Sequence, residues 1–451
     1  MLFPITAFAG DISYVIMSNT GPYTTWSQTE TKPGKGNSYT DNNANTSITR
    51  ISSGTLDTGA TYGVHPEYAW DCRSSDGHYI VGQTLLSGYP DSGGGYWLYT
   101  TTTTPCTAIH DIGAITGEPN SQEPELRWDN SGSHPTWLYY RSGMTLNYID
   151  VSDYSTHLVH NFSPAVSGTY IWSGDEGGPS ENSRYWAFMV YSGGVSRIIT
   201  YDKQTDTLIQ NISCPDSDLN NVYVSKSGTY FITSAVETSG SAGWYGTWSW
   251  NFQTGSPLHQ LQQGSVHQCV AYDKQGNEVL VSENDGSSGA YVDYIQFTRM
   301  DNGNACPLFY HGNLGWNANS QFLAPGIAHK GWAFLSTYAG TNGYGDNQIF
   351  GLELDETHTS TTTASNRIWR VAQLQNLYSG YLQQPNISIT EDGTQIYFGS
   401  DWKSTSNGGE IYRVNMPTNW YTDLGGSVDT SSPKKFTTSG KFTINGKFTI
   451  Q

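Results

Sequence analysis

The sequence predicts an all-β fold, a seven-bladed β-propeller of four-stranded antiparallel blades. A polar and aromatic strand, a turn of the Asp-Gly kind, and a second strand rich in Tyr, Trp, Ile and Val recur seven times between about Tyr62 and Val414. The plainest copy, Ile387–Ser400, alternates apolar and polar residues on both sides of Asp392-Gly393, as two half-buried strands joined by a tight hairpin do. A repeat period of roughly 45 to 50 residues is typical of propellers.

The composition agrees with stacked, twisted sheets. The 451 residues include 31 Tyr and 15 Trp, whereas Asp, Glu, Lys and Arg make up only 13%. Neither a sustained helical period nor an apolar run of about eighteen residues occurs, so we expect no membrane span. The net charge of −18 opposes general binding to nucleic acid or anionic lipid and suits an extracellular, cell-surface or virion-associated protein.

We divide the chain into an N-terminal extension (1–45), the propeller (46–423) and a C-terminal tail (424–451). Residues 1–10 are either the end of a truncated export signal, with Ala7-Phe8-Ala9 at the cleavage position, or an ordinary first strand. Thr46–Ile51 is predicted to be a strand that precedes the first repeat. We expect it to form the outer strand of the last blade, because such closure removes free sheet edges.

Seven repeats follow this strand, each with one turn marker. They span approximately 61–113, 118–162, 170–213, 217–262, 264–312, 320–376 and 381–416, with turns at Asp76-Gly77, Ser131-Gly132, Asn182-Ser183, Ser227-Gly228, Gln275-Gly276, Lys330-Gly331 and Asp392-Gly393. The tail then repeats Lys-Phe-Thr every six residues from Lys435. Three alternatives stay open for the tail: attachment or oligomerisation, packing on the edge of the propeller, and disorder.

The five cysteines do not indicate a disulfide framework. Cys72 and Cys106 fall on the first and last strands of one repeat, as do Cys269 and Cys306. Those strands lie roughly 14 Å apart at about 4.8 Å per strand, which is too far for a disulfide. The redox compartment therefore stays open.

The turns provide a common reference for locating a site. In a propeller the first strand of each blade lines the central channel, and the connections leading into those strands surround one opening, the funnel. Counting back nine residues from the turn glycine reaches Glu123, His267 and Gln384 in three repeats. Comparable positions in the other repeats add His65, Glu176 and Asn221, with Arg127, Arg184 and Tyr185 close by.

Polar groups at these positions have two interpretations. They bind a ligand in the funnel, or they satisfy the backbone of the inner strands and hold channel water. Aromatic residues of the funnel loops could stack on sugar rings; these are Trp97, Trp172, Trp244 and Tyr245. His329 stands only two residues before Gly331, so we expect it on the opposite face.

The unit Ile389–Phe398 resembles the Ser-x-Asp-Gly-x-x-Ile-x-Phe repeat of TolB-like, WD40-like propellers. The phrases Glu176–Ser180, Ser183–Phe188 and Gly331–Tyr338 resemble a subgroup similar to oligogalacturonate lyases and, more loosely, to propeller ulvan lyases. The resemblance covers residues 46 to 416. It implies the fold, and for activity it implies cleavage of a uronic-acid polymer by β-elimination.

The resemblance also implies the roles that such a site must fill. A cation neutralises the uronate carboxylate, a base removes the neighbouring carbon-bound proton, and an acid protonates the leaving oxygen. Our leading assignment is His267 as the base, with His65 as the alternative, and Arg127 or Arg184 as the carboxylate ligand. Glu123 or Gln384 would orient the substrate, and Tyr139, Tyr185 and Tyr223 are candidate acids.

The metal-binding residues of that family cannot be assigned to positions in this sequence. Oligogalacturonate lyases resemble one another in a His-x-His metal cluster, and this sequence contains no His-x-His; its closest pair, His157 and His160, belongs to an outer strand. We therefore keep a bound divalent cation as an open expectation, and we assign no residue as its ligand.

Two other functions compete with a lyase. One is a non-catalytic module that binds glycan or protein on a cell or virus surface, with the tail as its anchor. The other is a peptide-binding scaffold or a hydrolase that uses the carboxylates of Glu123 and Glu176.

Overall fold

A computed structural model describes most of the chain. The described residues are 14–17, 26, 29–58, 64–66, 71–84, 95–113, 125–174, 176–215, 219–235, 240–264, 267–284, 291–310, 319–338, 345–358, 366–377, 384–404 and 409–426. The expectations for residues 1–10 and for the Lys-Phe-Thr tail lie outside these ranges. No helix within them is long and apolar enough to cross a membrane.

The described strands form seven antiparallel sheets, numbered here in chain order. Two strands come from the N-terminal extension and one follows it: β1 Val15–Met17, β2 Ser38–Asp41 and β3 Thr46–Arg50. Blade 1 contains β4 Val64–Pro66, β5 Tyr79–Thr84, β6 Tyr96–Thr100 and β7 Thr107–Asp111. Blade 2 contains β8 Arg127–Trp128, β9 Trp137–Ser142, β10 Thr145–Asp150 and β11 Ser155–Asn161. Blade 3 contains β12 Tyr170–Trp172, β13 Tyr185–Tyr191, β14 Val195–Asp202 and β15 Thr207–Ser213.

The other four blades repeat this arrangement. Blade 4 contains β16 Leu219–Val224, β17 Tyr230–Ala235, β18 Thr247–Asn251 and β19 Pro257–Gln262. Blade 5 contains β20 Gln268–Tyr272, β21 Glu278–Glu283, β22 Tyr294–Arg299 and β23 Ala305–Tyr310. Blade 6 contains β24 Asn319–Leu323, β25 Trp332–Tyr338, β26 Gln348–Glu353 and β27 Ile368–Gln373. Blade 7 contains β28 Ser388–Ile389, β29 Gln395–Ser400 and β30 Glu410–Asn415. Helical turns are α1 Gly54–Asp57, the 3₁₀ turn Ile327–His329 and α2 Trp420–Asp423. The predicted seven-bladed fold is confirmed.

Hairpin turns between the first and second strands keep the repeats in register. The N–H of Gly393 donates to the carbonyl oxygen of Thr390, and Gly77, Gly228 and Gly276 make the same three-residue bond. Gly393 has a φ of 62°, a conformation that glycine adopts without the steric cost of a side chain. We call the end of the channel that carries these turns the turn end. The mouth is the other end, where first strands begin and second strands finish.

The ring is closed by a strand from the N-terminal side, as the sequence predicts. β3 pairs antiparallel with β30, with Ile48 opposite Val414, so it is the fourth strand of blade 7. The side chain of Glu410 anchors this junction, because it accepts from Arg50 Nη2 at 3.1 Å, Ser52 Oγ at 2.8 Å and the Gly54 N–H at 2.8 Å. β2 and β1 add fifth strands to blades 7 and 6.

Apolar clusters between neighbouring blades form the core. One cluster joins blades 6 and 7 around Trp369 and Phe398, and Ile48 of β3 belongs to it. All five cysteines are free, in agreement with the strand-spacing argument against bridges. Packing between sheets and closure by β3, rather than covalent links, therefore stabilise the ring.

Candidate functional site in the central channel

Inner-strand residues surround a central cavity of about 60 Å³. Each blade contributes to its wall: Asp71, Trp128, Ser180, Tyr223, Val270, Ala324 and Ile389. The wall includes several ionisable side chains. Apart from Arg127 and Cys269, they belong to two groups, one towards the mouth and one at the turn end.

The first group, which we call the mouth cluster, consists of Glu176, Tyr223, His267 and Tyr338. His267 immediately precedes β20, Tyr223 lies in β16, Tyr338 ends β25, and Glu176 follows β12. His267 Nδ1 contacts Glu176 Oε1, and Tyr223 donates its hydroxyl hydrogen to Glu176 Oε2 at 2.7 Å. Tyr338 Oη lies 3.3 Å from His267 Nε2. Four blades thus contribute to one hydrogen-bonded chain.

The carboxylate of Glu176 determines the tautomer of His267. An ionised carboxylate only accepts hydrogen bonds, so Nδ1 of the imidazole carries the hydrogen. In neutral His267 the lone pair therefore resides on Nε2, where Tyr338 can donate to it. The His267 side chain is 37% exposed, whereas that of Glu176 is only 7% exposed. The arrangement is a buried carboxylate that orients an accessible base.

Two carboxylates raise the pKa of His267. Burial lowers this pKa, but the charge and hydrogen bond of Glu176, together with the charge of Glu283, outweigh the burial and raise it above the ordinary value. Glu283 ends β21, beside the strand that His267 precedes. The proton therefore binds to His267 more tightly than to a histidine in water.

Arg127 does not extend towards His267. Its side chain is buried, and Nε and Nη2 donate to the carbonyl oxygen of Gly177 at 3.2 and 3.0 Å. Nη1 donates to the carbonyl oxygen of Leu126 at 2.9 Å. Arg127 thus joins the inner strands of blades 2 and 3, which matches the interpretation that channel polar groups satisfy backbone.

Arg184 and Tyr185 lie at the turn end, away from the mouth cluster. Tyr185 begins β13 and Arg184 directly precedes it, after the hairpin turn of blade 3. The guanidinium binds Asp202 through Nε at 2.9 Å and Nη2 at 2.6 Å, and it stacks over the Tyr185 ring at 4.6 Å. The expectation that Arg184 and Tyr185 approach the funnel is corrected by the direction of this hairpin.

The other predicted site residues have mixed placements. Gln384 is buried and its Oε1 accepts from Gln321 Nε2 at 3.2 Å. Asn221 is buried against Gly174, whose carbonyl oxygen accepts from the side-chain amide of Asn221 in the orientation that satisfies both groups. Glu123 lies outside the described residues, and for His65 only the strand position in β4 is described.

The aromatic candidates are half-buried and pack on the blades. Trp244 contacts Trp250 edge-on at 5.0 Å, and Tyr245 contacts Trp248 at 5.7 Å, both in the connection between β17 and β18 at the mouth. Trp172 packs against the core of blades 3 and 4, and Trp97 packs against that of blades 1 and 7. Tyr139 is buried and donates to Asp129 at 2.8 Å within blade 2.

A second group, which we call the turn-end cluster, was not predicted. It consists of Asp71, Glu181, Lys226 and Glu391. Lys226 Nζ lies 3.5 Å from Glu391 Oε2 and donates to the Ala324 carbonyl oxygen at 3.2 Å. Burial and the neighbouring charge of Glu181 raise the pKa of Glu391 to about 8, although Lys226 acts in the opposite direction. Burial also raises the pKa of Asp71 to about 6.

The raised pKa of Glu391 predicts a pH-dependent stability. A carboxyl whose pKa is higher in the folded state holds its proton more tightly there, so the free energy of unfolding falls as pH rises from about 4.5 to about 8. We expect Glu391→Gln to remove this loss and to be more stable than wild type at pH 8 by on the order of 2 kcal/mol. Urea denaturation across this pH range measures the difference, and Glu356→Gln, at a half-buried ion pair with Arg299, should keep the wild-type slope. An equal slope in Glu391→Gln would contradict the assignment.

His329 lies at the turn end, where its spacing from Gly331 places it. It ends the 3₁₀ turn, stacks on Trp420 at a centroid distance of 5.5 Å, and contacts the turn glycine Gly393. It therefore belongs to packing between blades 6 and 7 rather than to the mouth.

The described residues do not fit a divalent cation at the mouth. Both oxygens of Glu176 already accept hydrogen bonds, from His267 and Tyr223. Within the described ranges, one other group, Glu353, Asp355 and His358, brings three donor atoms together. Its carboxylates are neutralised by Lys274 and Arg367, with contacts of 3.2, 3.0 and 2.6 Å. His157 and His160 lie on the outer strand β11, as expected, and His160 pairs with Asp206.

Comparisons with known proteins identify a fold. No protein-family model matches the sequence, and no curated protein sequence matches it. An oligogalacturonate lyase in complex with manganese superposes with a TM-score of 0.55 at 13% identity, covering 85% of this chain and 96% of the other. The WD40 repeats of RRP9 superpose with a TM-score of 0.50 at 8% identity, covering 82% and 97%. TolB from Acinetobacter baumannii has a TM-score of 0.37 at 12% identity, covering 71% and 67%. At these identities the first two show a shared propeller architecture alone.

Proposed function

We propose that the mouth of the channel is a general acid–base site that cleaves a uronic-acid-containing glycan by β-elimination, with His267 as the base. The contact between His267 and Glu176 carries this proposal, because it leaves the Nε2 lone pair of an accessible imidazole directed away from the carboxylate. The similarity in fold to an oligogalacturonate lyase adds the substrate class. We further propose that the glycan is met outside the cell or on a particle surface.

The described groups suffice for the proton transfers. Nε2 of His267 removes the proton on the carbon next to the uronate carbonyl, the electron pair forms a carbon–carbon double bond, and the glycosidic carbon–oxygen bond breaks. Glu176 stabilises the imidazolium that forms, and the same imidazolium can return its proton to the leaving oxygen. Tyr223 holds the carboxylate of the pair in place, and the hydroxyl of Tyr338, which lies 3.3 Å from Nε2 at rest, gives up that lone pair to the substrate proton. Tyr223 is therefore a positioning residue.

Substitution of Glu176 by glutamine tests the pair. His267 acts as a base only when neutral, and Glu176 raises its pKa, so the rate of wild type should rise with pH through that raised pKa. We expect Glu176→Gln to lower kcat by about 10- to 100-fold and to move the acidic limb of the pH–rate profile to lower pH. The ultraviolet absorbance of the unsaturated product measures the rate on pectate, pectin, ulvan, alginate and glycosaminoglycans.

Asp206→Asn is the matched control. Asp206 binds His160 at 2.7 Å on the outside of the propeller, so it is a histidine–carboxylate pair of the same kind outside the channel. Its substitution should leave the pH–rate profile unchanged. If Glu176→Gln keeps the wild-type profile, His267 is not the base.

A second function, non-catalytic glycan binding, is favoured by one observation. A lyase acting on free uronate needs a cation at the carboxylate, and neither Arg127 nor Arg184 supplies one at the mouth. Under this alternative, no unsaturated product appears on any uronate polymer, while a glycan array or calorimetry detects binding that His267→Ala weakens. Product formation by wild type would reject it.

A further inference from the structure

The connections that meet at the mouth contain almost no positive charge. They run from the second to the third strand of each blade and from the fourth strand to the first strand of the next blade. Among the described residues of these connections, Lys403 is the single Lys or Arg. The described part of these connections carries Asp293, Asp346 and Asp401. It also carries Asp57 and Glu125, which pair with Lys35 and Arg141.

The groups around His267 are also negatively charged. Glu176 contacts its Nδ1, and the charge of Glu283 acts on the same ring. When His267 is neutral and ready to remove a proton, these two carboxylates are not balanced by the imidazole. A free uronate carboxylate would add a third negative charge in a site of reduced dielectric.

Neutral amides supply part of the described polar lining of the mouth, where the buried Arg141 is already paired with Glu125. Gln321 donates to Gln384 at 3.2 Å and to Asn386 at 3.0 Å, and all three side chains are buried. Gln268 and Gln262 lie beside each other near the start of β20, with 3.5 Å between Nε2 of Gln262 and Oε1 of Gln268. Amides bind hydroxyl and carbonyl groups without requiring charge on the ligand.

We propose that the substrate is a neutral glycan whose uronic acids are alkyl esters, a proposal that rests on the β-elimination proposed above. An ester removes the charge that Glu176 and Glu283 repel, and it makes the neighbouring C–H more acidic than a free carboxylate does. The reaction balances without a further reagent: the C–H proton moves to Nε2 of His267, the electron pair forms the double bond, and the leaving oxygen takes a proton. The ester itself is unchanged.

The test compares one polymer in two states. Highly methyl-esterified pectin and the same preparation after de-esterification are assayed with the full chain in the presence of a chelator, well above the pKa of His267. We expect kcat/KM at least about tenfold higher on the ester. Glu283→Gln should raise kcat/KM on the de-esterified polymer several-fold, as a like charge is removed, and should change the rate on the ester little.

Each outcome separates the two proposals. A preference for the de-esterified polymer, or cleavage of it that needs added Ca²⁺ or Mn²⁺, overturns the ester assignment and leaves elimination at His267 intact. Absence of unsaturated product from both polymers and from the wider glycan panel overturns the elimination itself. An unchanged ratio in Glu283→Gln removes that residue as a determinant of specificity.

Discussion

Replacement of His267 by alanine is expected to lower kcat for glycan cleavage by about 10³-fold. The imidazole is the accessible member of the mouth cluster, and general acid–base groups contribute about 10²- to 10⁴-fold to rates. The variant also leaves Glu176 without its imidazole partner, so a moderate loss of stability should accompany the loss of rate. Initial rates of product absorbance and a thermal melt, measured on the same preparation, separate the two effects.

Two further measurements make this prediction specific. Added imidazole should restore part of the activity of His267→Ala, because it can enter the space left by the side chain and accept the proton. His78→Ala is the control, since His78 is an exposed histidine at a hairpin turn that pairs with Asp76. If folded His267→Ala cleaves the glycan at the wild-type rate, His267 is not the base.

The second large effect is expected at the closing strand. Ile48 of β3 is fully buried in the core between blades 6 and 7, opposite Val414. Ile48→Asp places a carboxylate in that core, where an unpaired charge costs several kcal/mol. We expect a loss of more than about 4 kcal/mol in the free energy of unfolding, or failure of the ring to close.

The neighbouring position provides a control on the same strand. Ser47 is exposed because side chains alternate between the two faces of β3. Ser47→Asp should stay within about 0.5 kcal/mol of wild type in urea denaturation. Limited proteolysis should cut Ile48→Asp near its N-terminus and leave Ser47→Asp intact. Equal stability of the two variants would show that β3 does not close the ring.

The fold and part of the site follow from the repeat in the sequence. Period-two alternation and turn residues are local signals, so the hairpins, the blade number and the closing strand could be predicted. Counting nine residues back from the turn reached His267, and the equivalent region of blade 3 reached Glu176. The structure brings these two together across the channel.

Side-chain direction and contacts between distant blades could not be predicted in the same way. Arg127 has the right position in the chain, but its guanidinium turns to the carbonyl oxygen of Gly177. Tyr338 comes from the end of a second strand, a position that the nine-residue rule does not sample.

A different offset reaches three of the four residues of the turn-end cluster. Glu181, Lys226 and Glu391 each stand two residues before their turn marker, Ser183, Gly228 and Gly393 respectively, as His329 does before Gly331. The same offset places all four residues near the turn end. Whether such residues face the channel depends on the local backbone, which the pattern does not specify.

Closure by β3 also constrains the order of events during synthesis. Thr46–Arg50 leaves the ribosome before any blade, whereas its partner Glu410–Asn415 leaves it after six blades are complete. The early strand must therefore wait with β2 as its one neighbouring strand while the intervening chain folds, and its other edge is open to association with other nascent chains during that interval. The last step of folding joins the two ends of the ring, so a ribosome-bound chain truncated before Glu410 has all the residues of the mouth cluster but no closed channel to hold them.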